Sequence, residues 1–349
     1  MLGTSRVNEL IDVGGRLAQL DRIVTSLHAN NTHIMYVIGG DGSMKVAHAI
    51  SSAAQAKGYP LAVATVPKTM DNDVLWVWQS FGFLSAVEKA REIIDHIHTE
   101  VKSNPRLCIL QLFGSDSGFV VSHAVLASAT GHCDIALIPE VDFSMQGLAA
   151  NLARKMHGDN RRVPYGLVVM AETAVPTDAM DYVPLDEEKR PKEEFRDVGL
   201  SRDEAEAIVD FHLLRKAHKR IEGQTSDELR SAGLKIVRHG LRDLLPTMTP
   251  PDGMNGMVDW DKLRVFTNEP RHILRAIPPS SSDIIIGQRL GALAVDNIMA
   301  GYTDFMISQW LTEFVLVPLN LVVLGRKRIP REGIFWKSVL AKTGQSPLA

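Results

Sequence analysis

Two short loops hold the residues whose types and spacing could do chemistry. The first, Gly39-Gly40-Asp41-Gly42-Ser43, follows the apolar run IMYVI (34–38) and precedes a helix expected from about Met44. Glycines at a strand-to-helix junction let backbone N–H groups close on an anion, and the helix N-terminus adds roughly half a positive charge, so Gly40, Gly42 and Ser43 suit a phosphate. Asp41 would repel a bare phosphate. A carboxylate is tolerable there when a cation such as Mg2+ bridges it to the phosphates, which points to a metal-bound nucleotide with Asp41 as the metal ligand. The second loop, Pro67-Lys68-Thr69-Met70-Asp71-Asn72-Asp73, closes the run LAVATV (61–66). Asp71 and Asp73, with Asn72 between them, are expected to take separate roles, one facing a substrate hydroxyl and the other solvent, metal or a structural partner. Asp71 is the candidate base, accepting an alcohol proton as phosphoryl transfer develops, and Lys68 offers a point charge to a phosphate oxygen. The competing readings are an ordinary strand-to-helix turn for the first loop and an Asx-rich turn entered through Pro67 for the second.

Loops of this kind bind ligands at the carboxyl ends of strands in open α/β sheets. Between Ile34 and Ala171 the sequence supplies such strands: IMYVI, LAVATV, LCILQL (107–112), IALIP (135–139) and YGLVVMA (165–171), separated by helical periodicity over stretches such as 80–98 and 118–128. Short β-branched runs alternating with helices predict α/β lobes, parallel sheets covered by helices on both faces. Two further strand-like runs, LRVF (263–266) and FVLVPLNLVVL (314–324), flank a helix expected over 283–300 with Asp283 as its N-cap. The stretch 177–224, centred on EEKRPKEE, carries no strand signal and reads as a charged surface excursion, helical in part.

With 45% hydrophobic residues, the 349-residue chain can bury sizeable cores without disulfides or structural metal. A net charge of -3 with scattered Lys and Arg excludes the basic footprint of a nucleic-acid binder. Cys108 and Cys133, each inside an apolar run, read as small buried hydrophobes and suit a reducing cytoplasm. No apolar stretch reaches the roughly 18 residues a membrane span needs, and MLGTSRVNEL lacks the pattern of an export signal.

Gly39–Ser43 and Pro67–Asp73, at this spacing, resemble the two signature loops of the phosphofructokinase family, in particular the branch with plant, protozoan and pyrophosphate-dependent enzymes. GGDG alone is also similar to a motif of diacylglycerol and NAD kinases, so PKTMDND carries the discrimination. The likeness continues through SDSGFVVSHAVLAS, LIPEVDF, MAET, the segment 269–283 and MAGYTDF. It implies a two-lobed fold with Asp41 holding Mg2+, Asp71 as base on the C1 hydroxyl of fructose 6-phosphate, and Thr69 and Asp73 lining the same site. It further implies that Arg106 reaches the sugar phosphate across a subunit interface, that Phe113, Gly114 and Glu172 contact the sugar, and that His272 and Arg275 grip its phosphate. Arg6 would contact the donor. Gly42, where pyrophosphate users carry Asp, favours ATP, while Lys68 leans the other way.

The sequence departs from the family pattern in places. The first strand with its GG-x-x-P-G-x-N loop is missing, and Met1–Arg6 (MLGTSR) resembles the middle of a later motif, so the chain is expected to begin inside the fold. Ser115 stands in place of an arginine beside the transferring phosphoryl group; losing an arginine finger costs on the order of 10³–10⁵ in rate in other phosphoryl-transfer enzymes. Arg264 lies out of register with a basic residue the family places near Phe266, and Asp304 replaces a glycine. The implied reading is an ATP:fructose-6-phosphate phosphotransferase, a homo-oligomer (dimer or tetramer) without nucleic-acid or membrane partners. Its expected lobes are 1–140 for the donor, 141–310 for the sugar phosphate, and a return to the first lobe over 311–349. The alternatives are a catalytically weak or inactive sugar-phosphate-binding relative and a pyrophosphate-dependent enzyme.

Overall fold

The computed structural model describes residues 16–182, 226–250 and 257–348. In chain order the elements are α1 (Arg16–Ala29), β1 (Ile34–Gly39), α2 (Asp41–Ala56), β2 (Ala62–Pro67), α3 (Phe83–Ser103), β3 (Leu107–Leu112), α4 (Phe119–Ala127), β4 (Ile135–Leu137), α5 (Met145–Gly158), β5 (Gly166–Ala171), α6 (Ser226–Leu244), β6 (Val265–Asn268), α7 (Arg271–Arg275), α8 (Ser281–Met299), β7 (Phe305–Trp310), β8 (Glu313–Pro318), α9 (Leu319–Val322) and α10 (Ile334–Thr343). Arg6 and nearly all of the charged excursion 177–224 lie outside the described residues. No helix among the described residues is long and apolar enough to cross a membrane.

The described residues up to Ala86, with Ile277–Arg328, form one compact unit; those of Val87–Ala276 and Ile329–Ala349 form a second. In the first unit the strand order is β1-β2-β7-β8, with β1, β2 and β7 parallel and β8 antiparallel to β7. Val63, Met306 and Val317 on one face pack with Met44 and Ala47 of α2, while Ala64, Val66 and Phe305 on the other pack with Leu290, Ala294 and Ile298 of α8. The second unit holds an all-parallel sheet, β4-β5-β3-β6. Every residue of β3 and β5 is buried, which is why both read as unbroken apolar runs.

The expected strands appear, and the differences have physical causes. Residue 140 falls inside the second unit, because β3 pairs with β5 and β6 and not with β2. The return to the first unit begins at Ile277, and Ile329 onward joins the second. FVLVPLNLVVL is strand only as far as Pro318, after which Leu319–Val322 turns helical, since proline cannot donate to the ladder and opens a helix well. β7 was not expected, because Ser308, Gln309 and Trp310 break the apolar pattern of FMI. Ser280, not Asp283, caps α8: Ser280 Oγ accepts from Asp283 N at 3.3 Å. Asp283 is buried instead, its carboxylate accepting from Gly82 N at 3.0 Å, Ser85 N at 2.9 Å and Ser85 Oγ at 2.5 Å. Cys108 and Cys133 are both buried, and burial pushes both thiols up, Cys108 to about 12.

Candidate active site

The first loop is built by parallel pairing. β1 and β2 run in register from Ile34 with Ala62 to Gly39 with Pro67, so both acidic loops leave the same end of the sheet on neighbouring strands. Lys68 N donates to Gly39 O at 2.8 Å, and a Cβ on Gly40 would touch Thr69 Cβ at 3.4 Å. The loops are thus in contact. The helix starts at Asp41, three residues before the expected Met44, with Gly40 extended at its N-cap. Ser43 folds back over Gly39, where a Cβ would lie 2.1 Å from Ser43 Oγ; only glycine fits. A Cβ on Gly42 would meet nothing within 4 Å, so the helix N-terminus is open at that position.

The second loop is not extended. Asn72 has φ +54°, in the left-handed region where Asn is tolerated, and its side chain ties the turn by accepting from Ser80 N at 3.0 Å. Ser80 Oγ donates to Thr69 O at 2.7 Å, and Asp71 N donates to Thr69 Oγ1 at 3.1 Å. After burial itself, the Asp71 charge is the largest influence on Asp73, so the two carboxylates are electrostatically linked. Burial, Asp71 and Asp41 together push Asp73 up to about 7, against the pull of Arg326. Asp41, Asp71 and Asp73 therefore act as one charge group, with Thr69 buried beside them and Lys68 exposed at its edge.

Three cations complete this group, none of them singled out by the sequence reading. Lys45 Nζ is 2.9 Å from Asp41 Oδ2, one helical turn on. Arg326 Nε donates to the same oxygen at 3.1 Å and lies 3.9 Å from Asp73 Oδ2. Lys327 donates from Nζ to Val77 O at 2.6 Å and to Trp78 O at 3.2 Å, and from its main-chain N to Asp73 O at 2.8 Å. The signals were the i, i+4 spacing of Asp41 and Lys45, and the basic run Arg326-Lys327-Arg328 after an apolar stretch. As a Mg2+ site, the group offers one buried carboxylate with a second bridged to it by a guanidinium. No cluster of three metal-ligating side chains exists among the described residues. That donor set fits an ion that takes one or two carboxylates and leaves its other positions to phosphate and water.

In the second unit, the sugar-phosphate candidates gather at the carboxyl ends of β3, β5 and β6. Glu172, directly after β5, is buried; its Oε1 accepts from Ser115 N at 2.6 Å and its main-chain N donates to Leu112 O at 3.1 Å. Ser115 itself has φ +51°, and its carbonyl accepts from Thr173 Oγ1 at 2.6 Å. The Arg275 guanidinium lies 4.2 Å from the centre of the Phe113 ring, and His272 is exposed on the same short helix, α7. Gly114 O accepts from Ser117 N at 2.9 Å, closing the turn. A small concavity lined by Gln111, Phe113, Glu172, Arg271 and Leu274 marks this strand end. Arg106 is not brought to it. That residue precedes β3, at the opposite end of the strand, stacked over Phe266 at 5.1 Å and 3.4 Å from Glu100.

The chain is 30% identical to the ATP-dependent 6-phosphofructokinase of Amycolatopsis methanolica over 349 residues, covering 99% of this chain and 64% of that one. It is also 30% identical to the enzyme of the same name from Trypanoplasma borreli, over 97% of this chain and 57% of that one. The chain thus spans about three fifths of the length of these curated relatives. Among solved structures, a pyrophosphate-dependent phosphofructokinase from Nitrosospira multiformis shares the fold, with TM-score 0.65 and 16% identity over 95% of this chain and 72% of that one. The profile of the family described as Phosphofructokinase matches residues 1–298. This chain belongs to the phosphofructokinase family.

Proposed function

We propose that the protein transfers the γ-phosphoryl group of ATP to the C1 hydroxyl of fructose 6-phosphate, giving fructose 1,6-bisphosphate. The observation that carries this reading is the meeting of the two acidic loops, Gly39–Ser43 and Lys68–Asp73, at the end of β1 and β2. The first unit takes the donor. Backbone N–H groups at the start of α2 hold donor phosphates, Gly42 leaves room for a nucleotide, and Asp41 holds Mg2+, which neutralises charge on the phosphates when bound. Asp71 accepts the C1 hydroxyl proton, and Lys68 and Thr69 position oxygens of the transferring group. In the second unit, Glu172 binds sugar hydroxyls and His272 with Arg275 binds the 6-phosphate, the planar guanidinium pairing with two phosphate oxygens. Arg106, at the far end of β3, serves a neighbouring copy in a dimer or tetramer. ATP as donor is supported by the names of the relatives and by the open space at Gly42. The two buried, unpaired cysteines favour a reducing compartment, the cytoplasm.

The test is Asp71→Ala. Coupled assays are expected to lose turnover by at least a hundredfold while calorimetry finds fructose 6-phosphate bound as before; unchanged turnover removes Asp71 from the mechanism. A second reading, a sugar-phosphate-binding relative with little catalysis, is favoured by one observation. Ser115, where the family has an arginine, supplies no cation, and its main-chain N–H is given to Glu172. Under this reading the chain binds fructose 6-phosphate and ignores MgATP.

A further inference from the structure

Asp41 and Asp73 leave different loops, yet one guanidinium meets both: Arg326 Nε is 3.1 Å from Asp41 Oδ2 and 3.9 Å from Asp73 Oδ2. Lys45 reaches the same Asp41 oxygen at 2.9 Å. The two carboxylates are nearly closed to water, with side chains 4% and 8% exposed, whereas the Arg326 and Lys45 side chains are 35% and 36% exposed. The cations therefore stand on the solvent side of the acids. Lys45 and Arg326 both sit on Asp41 Oδ2, so a free divalent ion has to displace an ion pair to reach that carboxylate. A metal ion already carrying a polyphosphate is a different visitor. It arrives as a net anion, and its phosphate oxygens offer the displaced guanidinium a two-point partner in exchange for the carboxylate.

We propose that Arg326 makes this site select a metal–polyphosphate complex over the free metal ion, serving as counter-ion to Asp41 and Asp73 when the donor is absent and as a phosphate ligand when it is present. The proposal rests on the assignment of Asp41 to the donor made above. It goes beyond that assignment by naming the group that decides in what form the metal is accepted. The side chain can be changed without undoing the local fold, because Arg326 and Lys327 are tied to the second loop through the main chain. Val74 and Arg326 form an antiparallel bridge, and Lys327 N donates to Asp73 O at 2.8 Å.

Isothermal titration of the wild-type chain, Arg326→Gln and Arg326→Lys with MnCl2 alone, and separately with MgATP, tests it, with thermal melts to confirm that each variant is folded. Arg326→Gln is expected to bind free Mn2+ about tenfold more tightly and MgATP about tenfold more weakly, a charge at this range in mixed solvent and protein being worth on that order. Arg326→Lys keeps the charge and is expected to restore the wild-type Mn2+ affinity, while recovering only part of the MgATP affinity because an ammonium lacks the fork. Any other pattern for Arg326→Gln overturns the proposal, including a change in only one titration or two changes of the same sign. A wild-type chain that binds no MgATP refutes the donor assignment and the proposal together. A wild type that binds MgATP no better than Arg326→Gln overturns the proposal alone.

Discussion

Asp73 shows how crowding of like charge shapes this site. Its carboxyl is buried beside Asp71 and Asp41, and the single guanidinium near it does not restore an ordinary pKa: the group titrates at about 7. In the unfolded chain the same carboxyl ionises near 4. Between about pH 4 and pH 7 the folded protein therefore holds a proton that the unfolded chain has lost, and stability falls as pH rises through that window, levelling off above it. Asp73→Asn removes this dependence. The difference in unfolding free energy between variant and wild type, measured by urea titration in metal-free buffer, is expected to grow in the variant's favour from pH 4 to pH 7 and then stay constant; a flat difference refutes the assignment. Lys327 has the opposite burden, pushed down to about 8 by burial although Asp73 pulls it up. The acids of this cluster were legible in the sequence because their loops are short and contiguous. Arg326 was not, because 285 residues separate it from Asp41 and only the fold brings them together.

At the scale of elements, Asp283 joins α8 to the chain entering α3. Its fully buried carboxylate accepts from Gly82 N, Ser85 N and Ser85 Oγ. Asp283→Ala leaves these donors in the core without acceptors and is expected to lower stability by about 2–4 kcal/mol, since each buried group stripped of its partner costs about 1–3 kcal/mol. Chemical denaturation measures the loss; a change under 1 kcal/mol would show that water replaces the carboxylate. The sequence announced this helix to within two residues at its start, and placed Asp283 at its head, but mistook a long-range tie for a cap. Strands were legible where burial on both faces made them continuous, as in β3 and β5, and illegible in β7, whose last residues reach a partly exposed end. Pairing was less legible than existence. Nothing in an apolar run states which neighbour it will choose, so the division of the strands between two sheets could not be read from the runs themselves.

For the molecule as a whole, Arg106 stands apart from the other sugar-phosphate candidates. It lies at the amino end of β3, while Phe113, Glu172, His272 and Arg275 gather at the carboxyl ends of β3, β5 and β6. A six-residue strand spans roughly 20 Å, too far for an arginine to reach along it. If Arg106 serves a neighbouring copy, light scattering is expected to give the mass of a dimer or tetramer. Arg106→Ala would then weaken fructose 6-phosphate binding about tenfold while MgATP binding stays as in the wild type. A monomeric mass, or affinities that both stay the same, removes Arg106 from substrate binding.

The first unit is discontinuous in the chain, and this governs its birth on the ribosome. β1 and β2 are made long before β7, which pairs with β2, and Arg326, which pairs with Asp41, follows that residue by 285 residues. At about 5–20 residues per second, Asp41 waits roughly 15–60 s for its guanidinium. Through that interval the nascent chain carries both acidic loops on a half-built sheet, and the cluster around Asp41 can close only once Arg326 has been synthesised.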